Sequence, residues 1–158
     1  LGISAVTVIL ILRPWFRTHT EPSPQGRYRR VMVDEMWSWV GKRKAGKRWV
    51  WYAQCADTRK ILAFQIGKRN DATCKKLFKK LAHLDIDKFY TDDWKSYKKH
   101  IPPDKHVVSK KKTQKIERHN LNFRTHIKRL CRRTICFSKK DDMHYGMIKA
   151  YIFRKNAA

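Results

Sequence analysis

Acidic residues are scarce in this 158-residue chain: 13 Asp and Glu stand against 38 Lys and Arg, for a formal net charge of +25. Such a field attracts a polyanion, and counterion release makes nucleic acid the natural partner. Long hydrophobic runs are missing as well. The apolar opening, Leu1–Leu12, has 12 residues and is too short to span a bilayer. It also lacks the basic start and small-residue cleavage site of an export signal. The basic residues are spread along the chain rather than gathered on one amphipathic helix, which argues against a membrane surface. Only four cysteines are present (Cys55, Cys74, Cys131 and Cys136), with no CxxC pair and no disulfide-framework spacing. Reduced thiols are therefore expected. Cys131 and Cys136 follow His126 but lack the second regular pair of a zinc site. Repeats and low-complexity blocks are absent, apart from short lysine runs.

Apolar residues make up 42% of the chain and include 6 Trp, 6 Tyr and 7 Phe, enough for one domain with a packed core. The start at Leu1 reads as that of a fragment or trimmed product. Residues 1–13 resemble the second half of a helix-turn-helix, with Gly2 for the turn, Ser4 as cap, and Val8 and Leu12 facing a core. They are expected to be the remnant of a DNA-binding domain. Residues 14–27 hold Pro14, Pro22, Pro24 and Gly26 and read as a linker.

From residue 28 to residue 158 the pattern changes to that of a single α/β domain. Residues 28–40, 48–56 and 61–67 are β-branched and aromatic with short connections, a three-stranded antiparallel meander. Residues 71–84 change to helical period, with Leu77, Phe78, Leu81 and Leu84 on the apolar face. Short strands are expected at 87–91 and around Val107–Val108. A long basic helix follows over 113–133, with Ile116, Phe123, Ile127 and Leu130 toward the sheet. The order predicts an α/β fold with a mixed central sheet, three antiparallel strands then parallel ones, flanked by helices.

With so few acids, each needs a placement. Metal-assisted phosphoryl transfer uses clustered carboxylates, since Mg²⁺ and Mn²⁺ take oxygen ligands. Asp34 interrupts an apolar strand, VMVDEMWSWV, where an unpaired charge is costly to bury. Glu35 points to the opposite face, so only one of the two can join a cluster. Asp92 and Asp93 close the next strand in FYTDDWKSY, where an N-cap role is the alternative. Glu117 lies early in the long helix, where an acid also suits the helix dipole. Two strands and one helix carrying these acids form an RNase H-like arrangement.

The strings VDEMWSWVG (33–41), YTDDW (90–94) and SKKKTQKIERHNLNFRTHIKRL (109–130) resemble the transposases of the insertion-sequence-one family. TQKIERHNLNFR (113–124) is the most specific of them, and the similarity runs from about Tyr28 to near Arg154. The resemblance implies an RNase H-like domain with an Asp-Asp-Glu triad at Asp34, Asp92 and Glu117. Asp92 is preferred over Asp93, and 24 residues separate it from Glu117. It implies a bacterial, nucleoid-associated cytoplasmic transposase that uses Mg²⁺ or Mn²⁺, as two ions held by the triad. Water would cut at the ends of the element and the freed 3′-OH would attack target DNA, with the protein working as a homo-oligomer on DNA.

Lys110, Lys111, Lys112, Arg118, Arg124 and Lys128 surround Glu117 and are expected to contact phosphates. His119 and His126 share a helix face and are expected near DNA or solvent. Trp37, Trp39, Trp49 and Trp51 alternate on neighbouring strands, which fits core and cross-strand packing better than base stacking. A non-catalytic nucleic-acid binder accounts for the charge and leaves Asp34 unexplained. An RNase H-like nuclease accounts for both, and cuts without joining.

Overall fold

The computed structural model describes residues 2, 4–18, 21–41, 46–132 and 134–157, without the side chains of residues 5, 6, 9, 17, 18 and 110–115. Alternating apolar residues build β1 (Arg27–Trp39), β2 (Lys47–Cys55) and β3 (Ile61–Gly67), and consecutive strands pair antiparallel. Helix α2 (Asp71–Leu81) then carries the chain across the sheet. The Asn70 side chain caps it by accepting the Thr73 N–H at 3.0 Å, and Thr73, Cys74, Leu77 and Leu81 are buried. β4 (Asp85–Thr91) pairs parallel with β1, and after α3 (Lys95–His100) β5 (His106–Val108) pairs parallel with β4. The sheet order is β3-β2-β1-β4-β5, so β1 is central, between an antiparallel and a parallel neighbour.

Strand alternation sorts the core into two layers. Val31, Val33, Trp51 and Ala53 pack with residues of α2 and α3. Met32, Met36, Val50 and Tyr52 pack with α4 (Lys110–His126) and α5 (Asp141–Ala157) on the other face. The stripe Ile116, Phe123, Ile127 and Leu130 is buried as expected, but α4 stops at His126, short of residue 133. Ile127 is extended, and Lys128–Leu130 forms a 3₁₀ turn that folds back over the sheet. Arg124 holds this turn, donating to the carbonyls of Leu130 at 2.6 Å and Trp37 at 3.2 Å.

Helix α5 lies beyond the order expected from the sequence. Asp141 and Asp142 open it and Arg154 and Lys155 close it, a distribution that suits the helix dipole. Its buried Ile148 and Ile152 complete the second layer. Helix α1 (Ala5–Thr18) starts where Ser4 Oγ accepts the Thr7 N–H at 3.1 Å and runs through Pro14, into the segment expected to be a linker. The interior proline removes one helical hydrogen bond. Packing offsets this loss, because Phe16 is buried against Gly146 of α5 so closely that an added Cβ there would lie 2.2 Å from the ring. Among the described residues no helix is long and apolar enough to cross a membrane.

Candidate catalytic carboxylates

Asp34 sits mid-strand in β1, paired with Tyr52 of β2, on the face covered by α4. Its Oδ1 accepts the Glu35 N–H at 2.8 Å, and its Oδ2 accepts the Asn120 side-chain amide at 2.6 Å. The Asn120 carbonyl oxygen in turn accepts the Tyr52 hydroxyl at 2.8 Å, which fixes the amide so that its nitrogen faces the carboxylate. Among the described residues no basic group lies within ion-pair distance of Asp34. Burial pushes its carboxyl up to about 7, with the charges of Glu35 and Asp92 adding and the two hydrogen bonds opposing.

Asp92 comes immediately after β4. Met32 pairs with Tyr90 across the parallel β1 and β4, so Asp34 and Asp92 each lie two residues further on in the same direction. Asp92 Oδ1 also accepts the Trp94 N–H at 3.0 Å at the entrance to α3, a capping-type contact. Asp93 is exposed and pairs with Lys98 at 2.6 Å. Of the two, Asp92 is the one whose charge acts on Asp34. Glu35 faces the opposite layer, where Arg69 pairs with it at 2.6 Å and the Tyr97 hydroxyl donates to it.

Glu117 lies on α4, exposed, one helical turn before Asn120. The structure thus brings Asp34 and Asp92 together and leaves Glu117 facing solvent. Among the described residues no three acidic, histidine or cysteine side chains are gathered as a metal-holding group. The Asp34–Asp92 pair nonetheless has the chemistry that suits a hard cation: carboxylate oxygens, like charge, and partial burial with no basic partner among the described residues.

The expected phosphate contacts divide. Arg118 and Lys128 are exposed. Arg124 is half-buried, tied to two carbonyls, and stacks on Trp37 at 5.8 Å. The side chains of Lys110, Lys111 and Lys112 lie outside the described residues. Of the two surroundings expected for His119, DNA or solvent, the structure removes solvent: it is 5% exposed and packs against Phe123 and Tyr52, because it falls on the buried stripe between Ile116 and Phe123. His126 is exposed at the end of α4 and contacts the Tyr151 hydroxyl at 3.0 Å. Trp51 is fully buried, and Trp37 faces Trp49 across β1 and β2 with Lys47 within about 5 Å of both rings.

Asn120 and Tyr52 were not legible as site residues. The available signal was an asparagine inside a helix, three residues after Glu117, where a polar amide disfavours helix unless its side chain has a partner.

Residues 30–157 match the IS1 transposase family. Insertion element iso-IS1n protein InsB of Shigella dysenteriae is 46% identical over 120 residues, covering 76% of this chain and 91% of that protein. Insertion element IS1 protein InsB of Shigella sonnei is 38% identical over 120 residues, with the same coverage of 76% and 91%. Insertion element IS1 9 protein InsB of Escherichia coli (strain K12) is 38% identical over 120 residues, 76% of this chain and 71% of that protein. A half-buried acid pair on a strongly basic α/β domain and these relatives lead to one assignment: the chain belongs to the IS1 transposase family.

Proposed function

We propose that this chain cleaves the ends of an insertion sequence and joins them to target DNA, using Asp34, Asp92 and Glu117 to hold two divalent cations, Mg²⁺ or Mn²⁺. The carrying observation is Asp34, a half-buried carboxyl mid-strand near Asp92 that, among the described residues, has no cation paired with it. When bound, the cations would activate the attacking oxygen and stabilise the leaving one. The chain's own residues do the positioning. β1 holds Asp34 rigidly at the centre of the sheet, and Tyr52 and Asn120 orient its carboxylate. Glu117 is on the same helix as Asn120, one turn away, and its carboxylate would have to turn toward the pair to join it. The strand order, with an antiparallel meander and two parallel strands covered by helices on both faces, supports an RNase H-like domain. Arg118, Lys128 and the lysines at 110–112 would contact the backbone of the element and target DNA. We further propose that the protein works as a homo-oligomer on DNA at the nucleoid.

The test is Mg²⁺-dependent cutting and joining of labelled element-end DNA by the chain and by its Glu117→Gln variant. Joined product that disappears in the variant is the expected result. Cutting without joining would reassign the protein as a nuclease. DNA binding with neither reaction would demote the carboxylates to caps and charge balance.

A further inference from the structure

A second polar hollow opens on the sheet face that carries Asp34. The pair Met32–Gln54 lies next to the pair Asp34–Tyr52 in the β1–β2 register, roughly 7 Å along the strands. Above it is a cavity of about 120 Å³ whose polar lining is Gln54, Arg59, Arg118, His119, Asn122 and Lys155. Three of these side chains are cationic, and among the described residues no carboxylate lines the cavity. Asp57, close by in sequence, is engaged by Arg30. Among the described residues neither Arg59 nor Arg118 has an acidic partner.

His119 provides the second observation. The Gln54 side-chain amide nitrogen donates to the Arg59 carbonyl at 2.7 Å and lies 3.1 Å from His119 Nε2. Turning the amide over would set its oxygen against that carbonyl, so the nitrogen must face both groups and His119 Nε2 must accept. The ring proton therefore resides on Nδ1. That Nδ1 is buried and, among the described residues, has no hydrogen-bond partner, in a residue only 5% exposed. A buried N–H without an acceptor is costly and rare in a folded protein.

Arg59 is the third. Its φ of 59° lies in the left-handed region, which is disfavoured for a residue with a side chain. Its backbone is pinned there by its own N–H to Cys55 O at 3.0 Å and by Gln54 and Lys155, which both donate to its carbonyl. Burial and the Arg59 charge both lower the Lys155 pKa, as expected where cations crowd without an anion.

We propose that this pocket binds one phosphate of the DNA backbone. Arg59, Arg118 and Lys155 supply the charge, and His119 Nδ1–H and the Asn122 amide supply directional hydrogen bonds. Anchored there, the strand is registered one step along the sheet from Asp34. The inference rests on the DNA-processing function only in naming DNA as the source of the phosphate.

The test reads binding, not cleavage. Affinity of the full chain for a labelled DNA duplex is measured across a salt series without divalent ions. The chain is compared with Arg118→Gln and with Lys75→Gln, an equal charge change at an exposed position of α2 on the other side of the sheet. Arg118→Gln is expected to weaken binding about five- to tenfold and to lower the salt slope by about one, while Lys75→Gln changes affinity less than about twofold. In parallel, DNA and inorganic phosphate are each titrated into ¹⁵N-histidine-labelled protein, and both are expected to move the His119 Nδ1 resonance. Equal losses in the two variants would overturn the pocket in favour of a diffuse basic field. A His119 resonance that follows inorganic phosphate but ignores DNA would overturn DNA as the occupant. Silence toward both would overturn the site. A failure to cut DNA would sink the proposed function and leave each of these outcomes readable.

Discussion

Asp34 and Glu35 are neighbours in β1, and the strand turns them to opposite faces of the sheet. Glu35 is buried and Asp34 half-buried, and desolvation raises the pKa of both. Their surroundings differ in one respect. Glu35 has a cation of the protein's own, Arg69, and the Tyr97 hydroxyl besides. Among the described residues Asp34 has amide donors and no cation, while the like charge of Asp92 acts on both acids. Burial alone therefore does not distinguish the acid proposed to be catalytic from an architectural one. The distinguishing feature is desolvation without a paired cation among the described residues.

The largest expected effect breaks the Asp34 side of this comparison. Metal-assisted charge stabilisation is worth several kcal/mol, so Asp34→Asn should slow metal-dependent cleavage by about a thousandfold. Its thermal unfolding at neutral pH should be unchanged or later, because a neutral amide is cheaper to bury; early unfolding would make Asp34 structural. Glu35→Ala should give the opposite pattern. Removing one partner of a buried ion pair costs roughly 3 kcal/mol, the lower end of the usual range because Arg69 is 39% exposed and can rehydrate. Urea unfolding measures this, and the folded variant should keep far more cleavage activity than Asp34→Asn.

A third buried titratable group on the Asp34 face is closed by neutral partners. His144 is bracketed by the hydroxyls of Ser38 and Ser138, each at 3.0 Å. Burial lowers its pKa from 6.5 to about 4, with Asp141 opposing and Arg48 and Arg129 adding. The unfolded chain then binds a proton more readily than the folded one between these values. Stability present above pH 6.5 is lost as the pH falls toward 4, by roughly 3 kcal/mol from this group. Urea titrations at pH 7 and pH 4.5 should show the loss, and His144→Gln should flatten this part of it. The smallest effect sharpens how Asp34 is oriented. Asn120→Ala should cost about tenfold in cleavage at limiting metal and recover as metal is raised, since the amide positions a ligand without being one. A loss that metal does not rescue would count against that role.

Much of the scaffold was legible because its signals are local. β3 spans the expected residues, and β1 and β2 start and end one residue early, since alternation and short connections depend only on neighbours in sequence. The opposite placement of Asp34 and Glu35 was readable for the same reason. The end of α4 was not. Ile127 and Leu130 continue its apolar stripe, yet Arg124 reaches the Leu130 and Trp37 carbonyls, and that contact replaces the helix with a turn. The same contact takes Arg124 out of the exposed basic surface where the charge pattern had set it.

What the sequence by itself determined is the basic field, the alternation that divides the sheet into two faces, the helical stripes, and hence which acid faces which layer. Those follow from composition and from the two- and 3.6-residue periods of the backbone. Only the tertiary structure decided which acid acquires a cation. Arg69 is 34 residues from Glu35 and Tyr97 is 62, whereas Asn120, 86 residues from Asp34, brings a neutral amide. The meeting of Arg59, Arg118, His119 and Lys155 was decided in the same way. Periodicity sets the direction in which a side chain leaves the backbone, and the packing of distant segments sets what it finds there.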